Sequence, residues 1–286
     1  MSAPWHTLFV PLEDAARVEA ALRAALADLG YRPYDPFPGG TGTPPGLTDL
    51  ARGFVAPPGE GWTRVLGPLD PAAFPALGAA LGVPLLEGWL ADGSGGFAVW
   101  RAGLRDASAD ALAAFLRPDR PREALDRALR GEGTLSVESS GAPPIHVIGA
   151  DALPPDVAKL AQAHGVNPKQ ADKLVQRLSG NLFGRLNRQA GGSDDETQAQ
   201  ARALLAGQAD PWAEPEGQRV RALASVLAIP SRWRDPSWEA VRDAYQLRRL
   251  RQRNPRLPLI PGDQQTLDAV PDALDYRPVY MGRGPA

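Results

Sequence analysis

"WHTLFVPLEDAARVEAALRAALADLG", Trp5 to Gly30, is the stretch on which the fold reading turns. Trp5 to Leu12 is an apolar run of strand length. Val18, Leu22, Ala25, Leu26 and Leu29 then recur at helical spacing until Gly30, a natural stop. A strand that feeds a helix is the expected opening unit. The same grammar returns further on: "PLEDAARVEAAL" from Pro11 and "PLDPAAFPALGA" from Pro68 share Pro-Leu-acid-x-Ala-Ala, offset by 57 positions (68 minus 11).

Between the two copies lie a turn-rich loop, "YRPYDPFPGGTGTPPGL", and a short strand candidate, Gly53 to Ala56. After the second copy come "VPLLEGWLA", the turn "DGSGG" and "FAVWRAG", ending at Gly103. A strand-helix-strand unit used twice predicts an α+β fold. Its N-terminal part is a small mixed or antiparallel sheet with helices, of the split βαβ kind, over residues 1–135. From Ala107 the pattern turns helical, and the small-residue stretch 136–150 reads as a linker. A mostly helical C-terminal region is expected over 151–253, then an extended, proline-punctuated tail over 254–286 that docks on the protein.

Composition removes several classes of chemistry. The chain of 286 residues has no cysteine, which excludes disulfides, thiolate zinc sites, iron–sulfur clusters and a cysteine nucleophile. No charged leader precedes the first apolar run and no stretch approaches about 18 apolar residues, so a cytoplasmic protein without membrane contact is expected. The preference for arginine over lysine is what a GC-rich bacterial genome writes. Net charge is -2, divided as -5 over residues 1–150 (12 basic, 17 acidic) and +3 over 151–286 (19 basic, 16 acidic).

Catalytic patterns are weak. "FPGGTGTPPG" (Phe37 to Gly46) lacks the lysine and spacing of a phosphate loop and reads as a structural surface loop. The three histidines, His6, His146 and His164, show no metal-binding spacing, and His146 reads as a strand residue. Ser193 with Glu196 is a helix capping box rather than part of a metal site. Neither cofactor nor metal is expected, and an enzyme is the lesser expectation; carboxylates brought together from distant positions stay open.

All three lysines, Lys159, Lys169 and Lys173, fall in "KLAQAHGVNPKQADK". Here a helix ends near Gly165, and a second starts from Asn167 as cap and Pro168 as first residue. The segment 155–180 resembles a helix-turn-helix, with Ala161, Gly165, Val166, Ala171 and Leu174 in the positions such motifs fill with small or apolar residues. His164 departs from that pattern. Lys169, Lys173 and Arg177 form a basic stripe suited to phosphates, and Gln170 and Gln176 beside it suit base edges. A helical hairpin with a solvated basic face explains the same residues.

A second basic region, Arg232 to Arg256, reads as a helix starting at Asp235 and Pro236, with Arg248, Arg249, Arg251 and Arg253 as further backbone contacts. The sequence therefore points first to a non-enzymatic nucleic-acid-associated protein, with a DNA-binding regulator as one form of it. The alternative is an interaction or scaffold protein that meets a protein partner through its tail and through Trp233 and Trp238.

Overall fold

The computed structural model describes residues 5–91, 93–132, 211–260 and 262–285. The chain divides into two compact units, one built from 2–134 together with 209–286, the other from 135–208. The second unit lies outside the described residues, and with it the helix-turn-helix-like segment. The first unit is α+β and centres on an eight-stranded antiparallel sheet.

Chain order is β1 (Trp5–Val10), α1 (Ala15–Asp28), β2 (Arg32–Pro33), β3 (Asp49–Val55), β4 (Thr63–Leu66), α2 (Phe74–Leu81), β5 (Leu85–Ala91), β6 (Ser94–Arg101) and β7 (Leu104–Asp106). After β7 come α3 (Ala109–Ala113), α4 (Arg122–Leu129), α5 (Pro215–Val226), α6 (Trp238–Arg253), α7 (Asp263–Ala269) and β8 (Arg277–Arg283). Across the sheet the strands run β2-β8-β3-β4-β1-β5-β6-β7.

The two echoed segments are the exits from neighbouring strands. Leu8 of β1 lies opposite Val65 of β4, and each strand then passes through its Pro-Leu-acid link into a helix. Asp14 caps α1 by accepting from the Arg17 amide, and Asp70 accepts from the Ala72 amide in the short 3-10 turn before α2. Gly82, at φ 71°, ends α2 in the left-handed conformation a glycine adopts without strain. The unit β1-α1-β3 straddles β4 and the unit β4-α2-β5 straddles β1, so the two interleave.

Strand alternation then assigns the faces. Leu8, Val10, Val65 and Leu85 point to the side of α1 and α2, where they bury Val18, Leu22, Leu26, Phe74 and Leu77. Phe9, Leu86, Phe97 and Val99 point the other way, against α3, α4 and α5. Phe54, Leu66 and Tyr280 share that second side and meet Trp238, Val241 and Tyr245 of α6.

The expected mostly helical C-terminal region does not hold as a whole, and the expected extended tail 254–286 is corrected, because it carries α7 and the sheet strand β8. This strand lies between β2 and β3 and pairs with β3 along its whole length, from Asp49 opposite Arg283 to Val55 opposite Arg277. "RPVYMGR" sends Val279 and Met281 to one face and Tyr280 to the other, all three buried. Its period of two is short and framed by proline and glycine, which is why it reads as tail. Among the described residues no helix is long and apolar enough to cross a membrane.

Candidate functional site

α6 carries the described part of the expected basic surface. It starts at Trp238, with the Ser237 hydroxyl accepting from the Ala240 amide, later than the Asp235–Pro236 start expected from sequence. Its apolar side packs on the sheet, which decides where each arginine goes. Arg248 Nη2 donates to the carbonyls of Leu267 (3.1 Å) and Val270 (3.5 Å), tying α6 to α7 and the residue after it. Arg249 reaches Asp35 at 3.6 Å and stands over the Tyr245 ring. These two are engaged within the fold.

Arg251 and Arg253 are exposed, as is Arg256 just beyond the helix, and none of the three is in an ion pair among the described residues. They crowd the C-terminal end of α6, where the helix dipole favours cations. Lys169, Gln170, Lys173, Gln176 and Arg177 lie outside the described residues. Trp233 packs edge-on against Trp5 and Trp212 with centroids 5.3 and 5.5 Å away, so its ring is part of an aromatic cluster. Trp238 is buried beside Arg52 and Arg242.

The glycine-rich loop turns around Asp35, whose carboxylate accepts from the Phe37 amide and whose carbonyl accepts from the Gly42 amide. Phe37 plugs into the aromatic cluster of Phe54, Tyr245 and Tyr280. With a carboxylate at its centre and amides already engaged, the loop is a poor anion cradle.

His6 and Glu87 form the strongest polar cluster, and sequence reasoning misses Glu87. His6 Nδ1 faces the Gly67 carbonyl at 3.1 Å and Nε2 faces Glu87 Oε1 at 3.1 Å. Trp100 Nε1 and Arg105 Nε each donate to Glu87 Oε2 at 2.8 Å. Burial would push the Glu87 carboxyl up, but the bonds from His6, Arg105 and Trp100 and the His6 charge outweigh it and hold the group at about 2. Both ring nitrogens of His6 are occupied by protein acceptors, so neither is available to move a proton on a substrate. The cluster joins β1, β5, β6 and β7. The signal that could have found it is an acid inside the apolar run "VPLLEGWLA", since a charge buried in a strand requires partners.

Two carboxylates also converge. Tyr31 Oη lies 2.8 Å from Asp49 Oδ2 and 3.0 Å from Asp70 Oδ2, and Arg283 Nη2 is 2.6 Å from Asp49 Oδ2. Burial, then the bonds to Asp49 and Asp70, raise the Tyr31 phenol far above its ordinary range. The Tyr31 and Arg283 bonds hold the Asp49 carboxyl below its usual value. The group fastens β8 to β3 and to the loop before α2. Among the described residues no cluster of three or more His, Asp or Glu is placed to hold a metal.

A pocket of about 340 Å³ opens between α2 and the β6–β7 hairpin, walled by Phe74, Pro75, Val83, Pro84 and Trp100, with Arg101 on its lining. Comparison with family models, curated proteins and solved structures finds no match for this chain. Its residues are the whole basis for a functional reading.

Proposed function

We propose that the protein is a non-enzymatic nucleic-acid-associated protein, in which exposed arginines at the end of α6 contact phosphates and the segment 155–180, whose sequence resembles a helix-turn-helix, supplies the reading surface. The observation that carries this reading is the group Arg251, Arg253 and Arg256, three exposed cations close in sequence and in no ion pair among the described residues. Cations held apart from carboxylates are free to displace the counterions of a polyanion. Lys169, Lys173 and Arg177 would add phosphate contacts and Gln170 and Gln176 base contacts, while Arg248 and Arg249 act as supports.

Among the described residues, the side of the sheet under α3 to α6 offers no platform for stacked bases. Its aromatic residues Phe9, Phe54, Phe97 and Tyr280 are covered by α3 to α6. Recognition through an open sheet face is therefore not the mode proposed. The scaffold alternative has less to stand on, because Trp238 is buried and the chain near Tyr280 is an inner strand.

Fluorescence anisotropy of labelled duplex and single-stranded DNA and RNA, at low and moderate salt, tests the reading. The expected result is binding that weakens with salt and weakens further in Arg251/Arg253/Arg256→Ala and in Lys169/Lys173/Arg177→Ala. Removal of each phosphate-binding side chain should lower the salt slope by about 1. Absence of binding at low salt overturns the proposal.

A further inference from the structure

The pocket beside α2 is remote in kind from the arginine surface: it is an apolar, half-open groove between a helix and a hairpin. Its volume of about 340 Å³ lies at the lower end of the range typical of small-molecule sites, about 300–1,000 Å³. Trp100 is the aromatic wall, and its ring rests edge-to-face at 89° on the fully buried Phe74, with centroids 5.5 Å apart. Pro75, Val83 and Pro84 complete the apolar lining, and a side-chain carbon placed at Gly103 would just touch Pro75.

The Trp100 wall is set from behind. Its indole Nε1 donates to Glu87, which His6 and Arg105 hold in turn, so the ring plane is fixed without a ligand. A wall of this kind loses little rotamer freedom on binding. The charge on the lining is single and positive. Arg101 is the one charged residue there, it is exposed, and among the described residues it is in neither an ion pair nor a side-chain hydrogen bond. Glu87, behind the wall, is spent on its three donors.

We propose that this pocket binds a small monocarboxylate with an aromatic body, its ring against Trp100 and its carboxylate toward Arg101. A ligand ring packed on Trp100 adds an aromatic contact of the kind that ring already makes with Phe74. The apolar body supplies most of the affinity, because an ion pair at an exposed rim adds modestly. The carboxylate supplies the preference over neutral analogues.

NMR titration of the full chain tests this, with phenylacetate and phenylacetamide as probes and the Trp100 indole N–H as reporter, assigned by Trp100→Phe. The expected outcome is a saturable shift of that signal with both probes, phenylacetate binding about three- to tenfold more tightly. Arg101→Gln should abolish the preference while leaving phenylacetamide unchanged. Ala79→Trp, an exposed helix position on the lining, should block both probes without unfolding α2. Equal affinity of the two probes, a preference that survives Arg101→Gln, or a Trp100 signal that does not saturate with either probe would overturn the proposal. The probe pair and Arg101→Gln decide the matter even if Ala79→Trp fails to fold.

Discussion

Glu87 and Arg64 show how single buried charges are made tolerable in this sheet. Glu87 is 5% exposed, and its folded carboxyl is held at about 2 against roughly 4.3 in an unfolded chain. A folded value below the unfolded one gives stability that is present above about pH 4.3 and is lost as pH falls toward 2. The amount is on the order of 3 kcal/mol. Urea unfolding from pH 5 to pH 2 should therefore show a steep loss of stability in the wild type. In Glu87→Gln the curve should be flatter and start lower. Arg64, 8% exposed, donates from Nη1 to the carbonyls of Arg232 and Asp235, both at 2.7 Å, and lies over the Phe9 ring. Burial pulls its pKa down to about 10. Arg64→Ala should cost about 3 kcal/mol or more and speed hydrogen exchange in the segment before α6, read by chemical denaturation and exchange mass spectrometry. Neither residue is legible as a partner in the sequence. Glu87 meets residues 81 and 18 positions away, and Arg64 meets carbonyls 168 and 171 positions on, distances that no local pattern encodes.

At the scale of elements, the strongly periodic segments declare themselves and the short framed ones do not. α1 reads directly from Val18, Leu22, Ala25 and Leu26, all buried as the spacing requires. α6 is legible as a helix, but Asp235–Pro236 resembles a start so well that it masks the true cap, Ser237, two residues on. The arginines of α6 illustrate the same limit for the candidate site. Sequence shows that they cluster, whereas only packing separates Arg248 and Arg249, turned to carbonyls and Asp35, from the exposed Arg251 and Arg253. Trp238 anchors this helix against Gly67 and Phe54, so Trp238→Ala should lower stability by about 3–5 kcal/mol, measured by thermal and urea melts. β8 escapes a sequence reading because seven residues bounded by proline and glycine carry little periodic signal. Its inward residues Val279, Tyr280 and Met281 make it a core element, and a chain shortened before Arg277 should give no cooperative unfolding transition by circular dichroism.

For the whole described unit, contacts between distant parts of the chain complete the sheet and cover it. Residues 211–286 supply β8, and α5 and α6 cover one face of the sheet whose other strands come from 5–106. A fragment ending at Glu132 should therefore expose Phe9, Phe54 and Phe97 and remain without fixed tertiary structure. Mixing it with a 211–286 fragment should restore near-ultraviolet dichroism, whereas two independently folded fragments would leave the spectrum a plain sum. The echo at Pro11 and Pro68 makes the alternation of strands and helices readable. It cannot say that the later chain returns to the sheet, because two similar repeats carry no information about a strand supplied far downstream.

That return has a temporal consequence. β8 enters between β2 and β3 although more than two hundred positions separate Val55 from Arg277, so during synthesis the slot beside β3 stands open until the last of the eight strands emerges. Until then the nascent sheet carries an unpaired backbone edge next to Phe54, the kind of edge that recruits neighbouring chains. Slow translation, or crowding by chaperones, over that interval should matter more to the yield of this protein than the intrinsic strength of any one contact within it.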